Sequence, residues 1–211
     1  ASKSGEEDVG PRAELEYWRN KMQRLTSIAE QLKRKDCRQV ITALSTLTKN
    51  STEGKQQKIV GLLRRWKEKD VNITEKANEA KDNVKYLFTL ERFIEPLYTG
   101  SATTIIDTLP ALMNSIKMIH TIARYYPTPE RMNRLFAMLT NTLIDNCKRS
   151  LLPDPGASGA ERGLWGREPT ALIADLKHCQ ELNRIYQEQY HLTKAKLATM
   201  SEGTRQFDGI N

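Results

Sequence analysis

The run 109–151, LPALMNSIKMIHTIARYYPTPERMNRLFAMLTNTLIDNCKRSL, constrains this chain more than any other stretch. Leu109, Leu112, Met113, Ile116, Ile119 and Ile122 recur at three- and four-residue steps, with Pro110 just inside the segment. Met132, Leu135, Phe136, Leu139, Leu143 and Cys147 repeat the pattern after the Pro-Thr-Pro of 127–129. Such spacing places the apolar residues of each segment on one helical face, and the prolines mark the break between them. The run therefore predicts two amphipathic helices joined by a short turn, an αα-hairpin. Its inner faces carry almost no reactive side chain, which suits a stiff packed element and not a reaction centre.

The rest of the chain carries helix signals of the same kind. Gly and Pro are sparse and gathered at a few breaks, while good helix formers are common. No stretch alternates apolar and polar residues long enough to argue for a sheet. The expected fold is all-α, an elongated bundle of long antiparallel helices with helical hairpins. Residues 1–10, ASKSGEEDVG, read as a disordered lead-in. Residues 11–100 hold the N-terminal helices, 101–152 the central hairpin, 153–167 a flexible loop rich in Pro, Gly, Ala and Ser, and 168–211 a last helix packing on the bundle.

Within 11–100, Pro11 suits a first helical turn, and Leu15, Trp18, Met22, Leu25, Ile28 and Leu32 mark the inner face of a helix ending near Lys35. Asp36 is positioned to cap a short second helix with Val40, Ile41, Leu44 and Leu47 inward. After the Asn50-Ser51-Thr52 turn, a third helix places Ile59, Leu63, Trp66, Ile73, Ala77, Ala80, Val84 and Leu87 on one seam. That near-heptad spacing predicts a rod of about 40 residues, ended by Pro96 and Gly100. Thr103 to Thr108 is a connector or helical turn. Leu172, Leu176, Cys179, Leu182, Tyr186, Tyr190 and Leu197 form the inner face of the last helix, which runs from Pro169 to about Met200.

Reactive motifs are absent. No G-x-x-x-x-G-K-[ST] string is available to cradle phosphates, since Gly54-Lys55 lacks both the upstream glycine and the following hydroxyl. His178 and Cys179 are neighbours that point about 100° apart on a helix, which disfavours a shared metal, and His120 and His191 lie elsewhere. No Gly-x-Ser-x-Gly elbow presents a nucleophile. Catalytic, cofactor and metal residues are accordingly expected to be none. The three cysteines, Cys37, Cys147 and Cys179, form no C-x-x-C pair and fit a reduced intracellular compartment. No segment is apolar enough to span a membrane, and no basic leader followed by an apolar stretch opens the chain. It begins with Ala1 and ends at Asp208-Gly209-Ile210-Asn211, and so reads as a piece of something larger.

The formal charge of +7 raises the idea of an anionic partner, although a solvated helix surface accounts for cations mixed with Glu and Asp. Lys33-Arg34-Lys35 with Arg38 sits at a helix C-terminus, where cations complement the dipole. Nucleic-acid binding would need a basic stripe with stacking aromatics or a reading helix, and neither is evident. The sharpest local signal is the basic amphipathic stretch 59–69, with Arg64, Arg65 and the potential anchor Trp66. Such a helix can enter an EF-hand groove; alternatively, Leu63 and Trp66 pack within the bundle while the cations face water. Trp18 and Trp165 are further candidate partner anchors, the alternative for Trp18 being packing against the second helix.

Several separated blocks resemble a known family in that family's order. GPRAELEYWRNKMQRLTSIAEQL is similar to the "G-P-x-x-E-x-x-x-W-x-x-R/K" opening of the dynein heavy chain N-terminal tail. The stretch from VKYLFTLERFIEPLYTG through the hairpin resembles that tail's most recognisable segment. The last helix resembles its "C-x-x-L-N-x-x-Y-x-x-x-Y" helix with the following "x-Q-F-D". The likeness covers about residues 10–208, is axonemal and outer-arm in type, and departs from the family at 153–166. It implies a chain of helical bundles that holds heavy chains together, binds intermediate and light chains, and anchors the motor to cargo or to the doublet microtubule. Its implied setting is the cytoplasm, cytoskeleton and ciliary or flagellar axoneme, with no nucleic acid, membrane or small-molecule substrate as partner. The family's ATPase does not transfer, because the nucleotide-binding modules of the motor are missing here.

Overall fold

A computed structural model describes residues 10–152 and 167–200. These form seven α-helices, with no strand among the described residues: α1 (Pro11–Leu32), α2 (Lys35–Lys49), α3 (Glu53–Leu87), α4 (Glu91–Thr99), α5 (Ala102–Ile122), α6 (Pro129–Leu151) and α7 (Pro169–Met200). The expected lead-in, the loop around 153–166 with Trp165, and the x-Q-F-D block lie outside the described residues. The chain divides into two compact units, an N-terminal unit of Glu16–Val84 and a main unit of Ala1–Leu15 with Lys85–Asn211.

The main unit contains the large core. Leu109, Leu112, Met113, Ile116 and Ile119 of α5 are buried, as are Met132, Leu135, Phe136, Leu139 and Leu143 of α6. Each such side chain contributes about 1.5–3 kcal/mol on leaving water. Both hairpin helices form, but α5 runs chiefly along α7 and meets α6 over a shorter stretch. Ile122, expected inward, is exposed, because α5 stops there and Ala123 turns the chain away in extended conformation. On α7 the buried stripe is Leu182, Tyr186, Tyr190, Thr193 and Leu197. Leu176, also expected inward, is exposed, since the first third of α7 is covered on less of its circumference.

The helix ends follow local chemistry. α5 begins seven residues earlier than the apolar stripe indicates, because the Ser101 hydroxyl accepts from the Thr104 amide at 3.2 Å and caps it. Pro110 is thereby a mid-helix residue. Thr128 caps α6 with Pro129 in the first turn, where a missing amide hydrogen costs nothing. α3 ends at Leu87 and spans 35 residues, not about 40, because a 3-10 turn at Phe88–Leu90 interrupts the path to α4. Pro96 lies inside α4 and does not end the long helix. Gly100 does end α4: its amide donates to the Pro96 carbonyl at 2.9 Å, and an added Cβ would collide with that same oxygen.

Buried polar groups tie these ends together. Asn146 of α6 donates from Nδ2 to the Leu97 carbonyl at 3.2 Å and the Gly100 carbonyl at 3.0 Å, satisfying the C-terminus of α4. The first turn of α1 docks through Glu14, which is buried, accepts from the Tyr126 hydroxyl at 3.2 Å and lies 3.5 Å from Arg134 Nε. Burial, and then the Glu14 carboxylate, push the Tyr126 hydroxyl well above its usual range, so it stays protonated and able to donate. Gly10 precedes this turn in close contact with Tyr98 and Thr142, where a Cβ would come within 2.8 Å of Thr142 Oγ1. Arg167 joins α6 to α7 by donating to the Ser150 and Leu151 carbonyls at 2.8 and 3.1 Å and pairing with Asp175.

The N-terminal unit is built differently. Its buried side chains are few and mostly small, with Trp18, Ala29, Ala77, Ala80 and Asn83 prominent. No residue of α2 is buried. Asp36, expected as its cap, lies inside its first turn, and Arg34 holds the cap position without a side-chain hydrogen bond. An acidic residue there still complements the helix dipole.

Candidate interaction surface

Charge is distributed unevenly between the two units. Glu16–Val84 contains 16 Lys and Arg against nine Asp and Glu, which accounts for the whole formal excess of +7. The remaining residues of the chain balance at zero. A basic excess concentrated in this way raises the potential over the N-terminal unit and draws acidic surfaces toward it.

The candidate partner residues fall in different environments. Trp18 is only 3 % exposed, so it is no surface anchor. Lys21 Nζ stands 4.5 Å from its ring centre and Tyr17 meets it edge-on at 5.2 Å. A large indole that reaches enclosed space leaves water for the area it buries. Arg64 and Arg65 are exposed, and Arg64 Nε lies 3.7 Å from Glu68, a solvent-screened pair of small energetic weight. Trp66 is half-buried, while its neighbours Val60 and Leu62 are 50 % and 54 % exposed. Trp165 lies outside the described residues.

Other exposed apolar positions carry no distinctive sequence signal. Val40 and Leu47, expected inward, are 58 % and 53 % exposed, because the covered side of α2 is the one carrying Cys37, Ile41, Leu44 and Thr48. Ile28 of α1 is likewise exposed instead of inward. Periodicity marks Val40 and Leu47 as helical neighbours, and only tertiary contacts decide which flank of a wide apolar face is covered. Alongside them a groove of 510 Å³ is rimmed by Lys33, Lys35 and Arg38 and floored by Thr42, Ala43 and Thr46.

Two further depressions lie among the described residues of the main unit. One of 770 Å³ lies between the Phe88–Leu90 turn and α5, lined by Phe88, Arg92, Ser115 and Met118. The other, of 430 Å³, separates α6 from α7 and contains Cys147 and Cys179. Both cysteines are free thiols in contact with one another. Burial, then the Cys179 contact, pushes the Cys147 thiol up to about 12, which suppresses its nucleophilic form. His178 and His191 are exposed on α7, and His120 is buried on α5. No group of three or more His, Cys, Asp or Glu able to hold a metal ion occurs among the described residues. No helix among them is long and apolar enough to cross a membrane.

The profile of the family "Dynein heavy chain, N-terminal region 1" matches residues 1–209. The flagellar outer arm dynein gamma chain of Chlamydomonas reinhardtii is 43 % identical over 207 residues, 98 % of this chain and 4 % of that protein. Dynein axonemal heavy chain 5 of Rattus norvegicus is 36 % identical over 202 residues, 96 % of this chain and 5 % of the relative. Dynein axonemal heavy chain 8 of Homo sapiens is 35 % identical over 201 residues, 95 % and 4 % respectively. The chain belongs to the dynein heavy chain family and corresponds to its N-terminal tail region. It spans only about one twentieth of the length of these relatives.

Proposed function

We propose that this chain is a non-catalytic part of an axonemal dynein heavy chain tail, a helical scaffold on which the motor assembles. Its roles are heavy chain association, intermediate and light chain binding, and attachment to cargo or to the doublet microtubule, in a cilium or flagellum. The observation that carries this reading is the likeness to flagellar and axonemal heavy chains over nearly the whole chain. The packed α4–α7 core supports a load-bearing part, and the basic N-terminal unit supports protein contacts. ATP hydrolysis belongs to other parts of the parent motor.

The test is deletion of the matching segment from an intact heavy chain. Loss of subunit association with microtubule-stimulated ATPase retained is the expected result; unimpaired assembly would refute the scaffold role. In calorimetry, the isolated chain should give no Mg-ATP binding.

A second reading is favoured by exposed Val60 and Leu62 beside Arg64, Arg65, Lys67 and Lys69. Here the 59–69 stretch captures an EF-hand light chain. Calcium-dependent retention of such a light chain on the immobilised chain, lost in R64E/R65E, distinguishes it from a purely structural helix.

A further inference from the structure

We propose that the outer face of α2 is a docking groove for an acidic amphipathic helix supplied by another polypeptide. The inference rests on the scaffold reading and gives one of its contacts a location and a partner chemistry.

The geometry of α2 divides into three strips. At about 100° per residue, Cys37, Ile41, Leu44 and Thr48 share one side, and all four are partly covered. Val40 and Leu47, seven residues apart, stack on an adjacent strip with Ala43 at its edge, and all three are exposed. The third strip is the 510 Å³ groove, where Thr42, Ala43 and Thr46 form a floor low enough for another backbone to approach. An apolar ridge beside a shallow polar groove is the counterpart of a helix with apolar residues on one edge of its contact face.

The cations define the rest of the partner. Residues 33–69 contain 11 Lys and Arg against three Asp and Glu. Lys33, Lys35 and Arg38 rim the groove, and among the described residues none of them has a carboxylate within ion-pair distance. Asp36, beside them in the first turn of α2, pairs with none of them, so they are open to an incoming carboxylate row. A nucleic acid suits the face less well: α2 contains no aromatic side chain on which a base could stack, while Val40 and Leu47 have no use in a phosphate contact. A second copy of this unit would bring another basic surface against the first.

The experiment titrates the full chain with a fluorescent synthetic helix of about 18 residues, long enough to follow α2, with Leu along one edge and Glu on both flanks. Probes for comparison are the same peptide with Lys for Glu, poly-glutamate, and a single-stranded oligonucleotide. We expect saturable binding of the Glu peptide alone, weakened about tenfold by K35E/R38E and by raised salt. V40S/L47S should weaken it by about fivefold, because an apolar anchor is lost at exposed positions that the fold does not need. Circular dichroism checks that both variants retain their helices. Equal binding of poly-glutamate, indifference to V40S/L47S, tighter binding of the oligonucleotide, or self-association abolished by V40S/L47S would each overturn the proposal. Peptide binding with assembly intact after the segment deletion would sink the scaffold reading alone. Absent peptide binding with assembly lost would sink the docking groove alone.

Discussion

Replacing Asn146 tests the junction on which α4 and α6 depend. Its amide donates to two carbonyls at the end of α4, Leu97 at 3.2 Å and Gly100 at 3.0 Å. α4 has only nine residues and includes a proline, so it cannot hold its terminus by its own ladder. In Asn146→Ala the Leu97 carbonyl is stranded in a buried setting, which costs about 1–3 kcal/mol. The Gly100 carbonyl is partly reachable by water and loses only the net value of a hydrogen bond, about 0.5–1.5 kcal/mol. The expected total is about 1.5–4.5 kcal/mol. Asn146→Asp should cost more, because it turns a carboxylate toward two carbonyl oxygens without a donor. Urea unfolding followed by circular dichroism measures the totals, and hydrogen exchange at the amides of α4 should show the weakening there first. A loss in Asn146→Ala below about 0.5 kcal/mol, or an Asp variant as stable as the Ala variant, would refute this account.

Leu139→Ala, at a fully buried position of α6, should cost about 2–5 kcal/mol in the same assay, and a surface-like effect would contradict the core packing. Asn83 has the opposite expected sign: it is fully buried, and neither polar atom of its side chain has a partner among the described residues. Asn83→Leu should therefore stabilise by about 1 kcal/mol, and destabilisation would show that those atoms are satisfied in solution. Cys147 should be the slowest of the three thiols to react with iodoacetamide at about pH 8, because thiolate is the reactive form. Preferential modification of Cys147 in the folded chain would contradict its raised thiol value. The same raised value favours the folded state in full below the ordinary thiol range, and this contribution disappears as pH rises toward about 12.

The parts of the fold legible in the sequence are those where one face alone decides the matter. The stripes of α5 and α6 mark their buried residues, except Ile122 at the end of α5 and half-buried Cys147 of α6, because each helix is covered on one broad side. The pairing of α5 with α7 was not legible, since an apolar stripe does not name its neighbour. Pro96 misled because proline is a strong stop signal, yet the 3-10 turn had already broken the helix before it and Asn146 supplies what α4 lacks. Trp18 showed an indole at a helical period but not the enclosure that makes it a core residue. The charge excess was plain in composition; its confinement to Glu16–Val84 became visible only with the division into units. The groove on α2 was half legible: the Lys33–Arg38 cluster stood out, whereas the exposure of Val40 and Leu47 depends on which flank the tertiary contacts leave open.

α2 has 15 residues and no buried side chain. Isolated helices of up to about 12–15 residues are marginal in water even when rich in Ala, because nucleation is costly and propagation adds little. Partial coverage along a single side supplies little beyond that. Its helical population should consequently respond to small free energies, such as temperature, salt or the arrival of a binding partner. Occupation of its outer face would then be linked to a helix–coil transition, with a calorimetric signature: a heat-capacity change more negative than the contact area accounts for, and slower amide exchange along all of Lys35–Lys49.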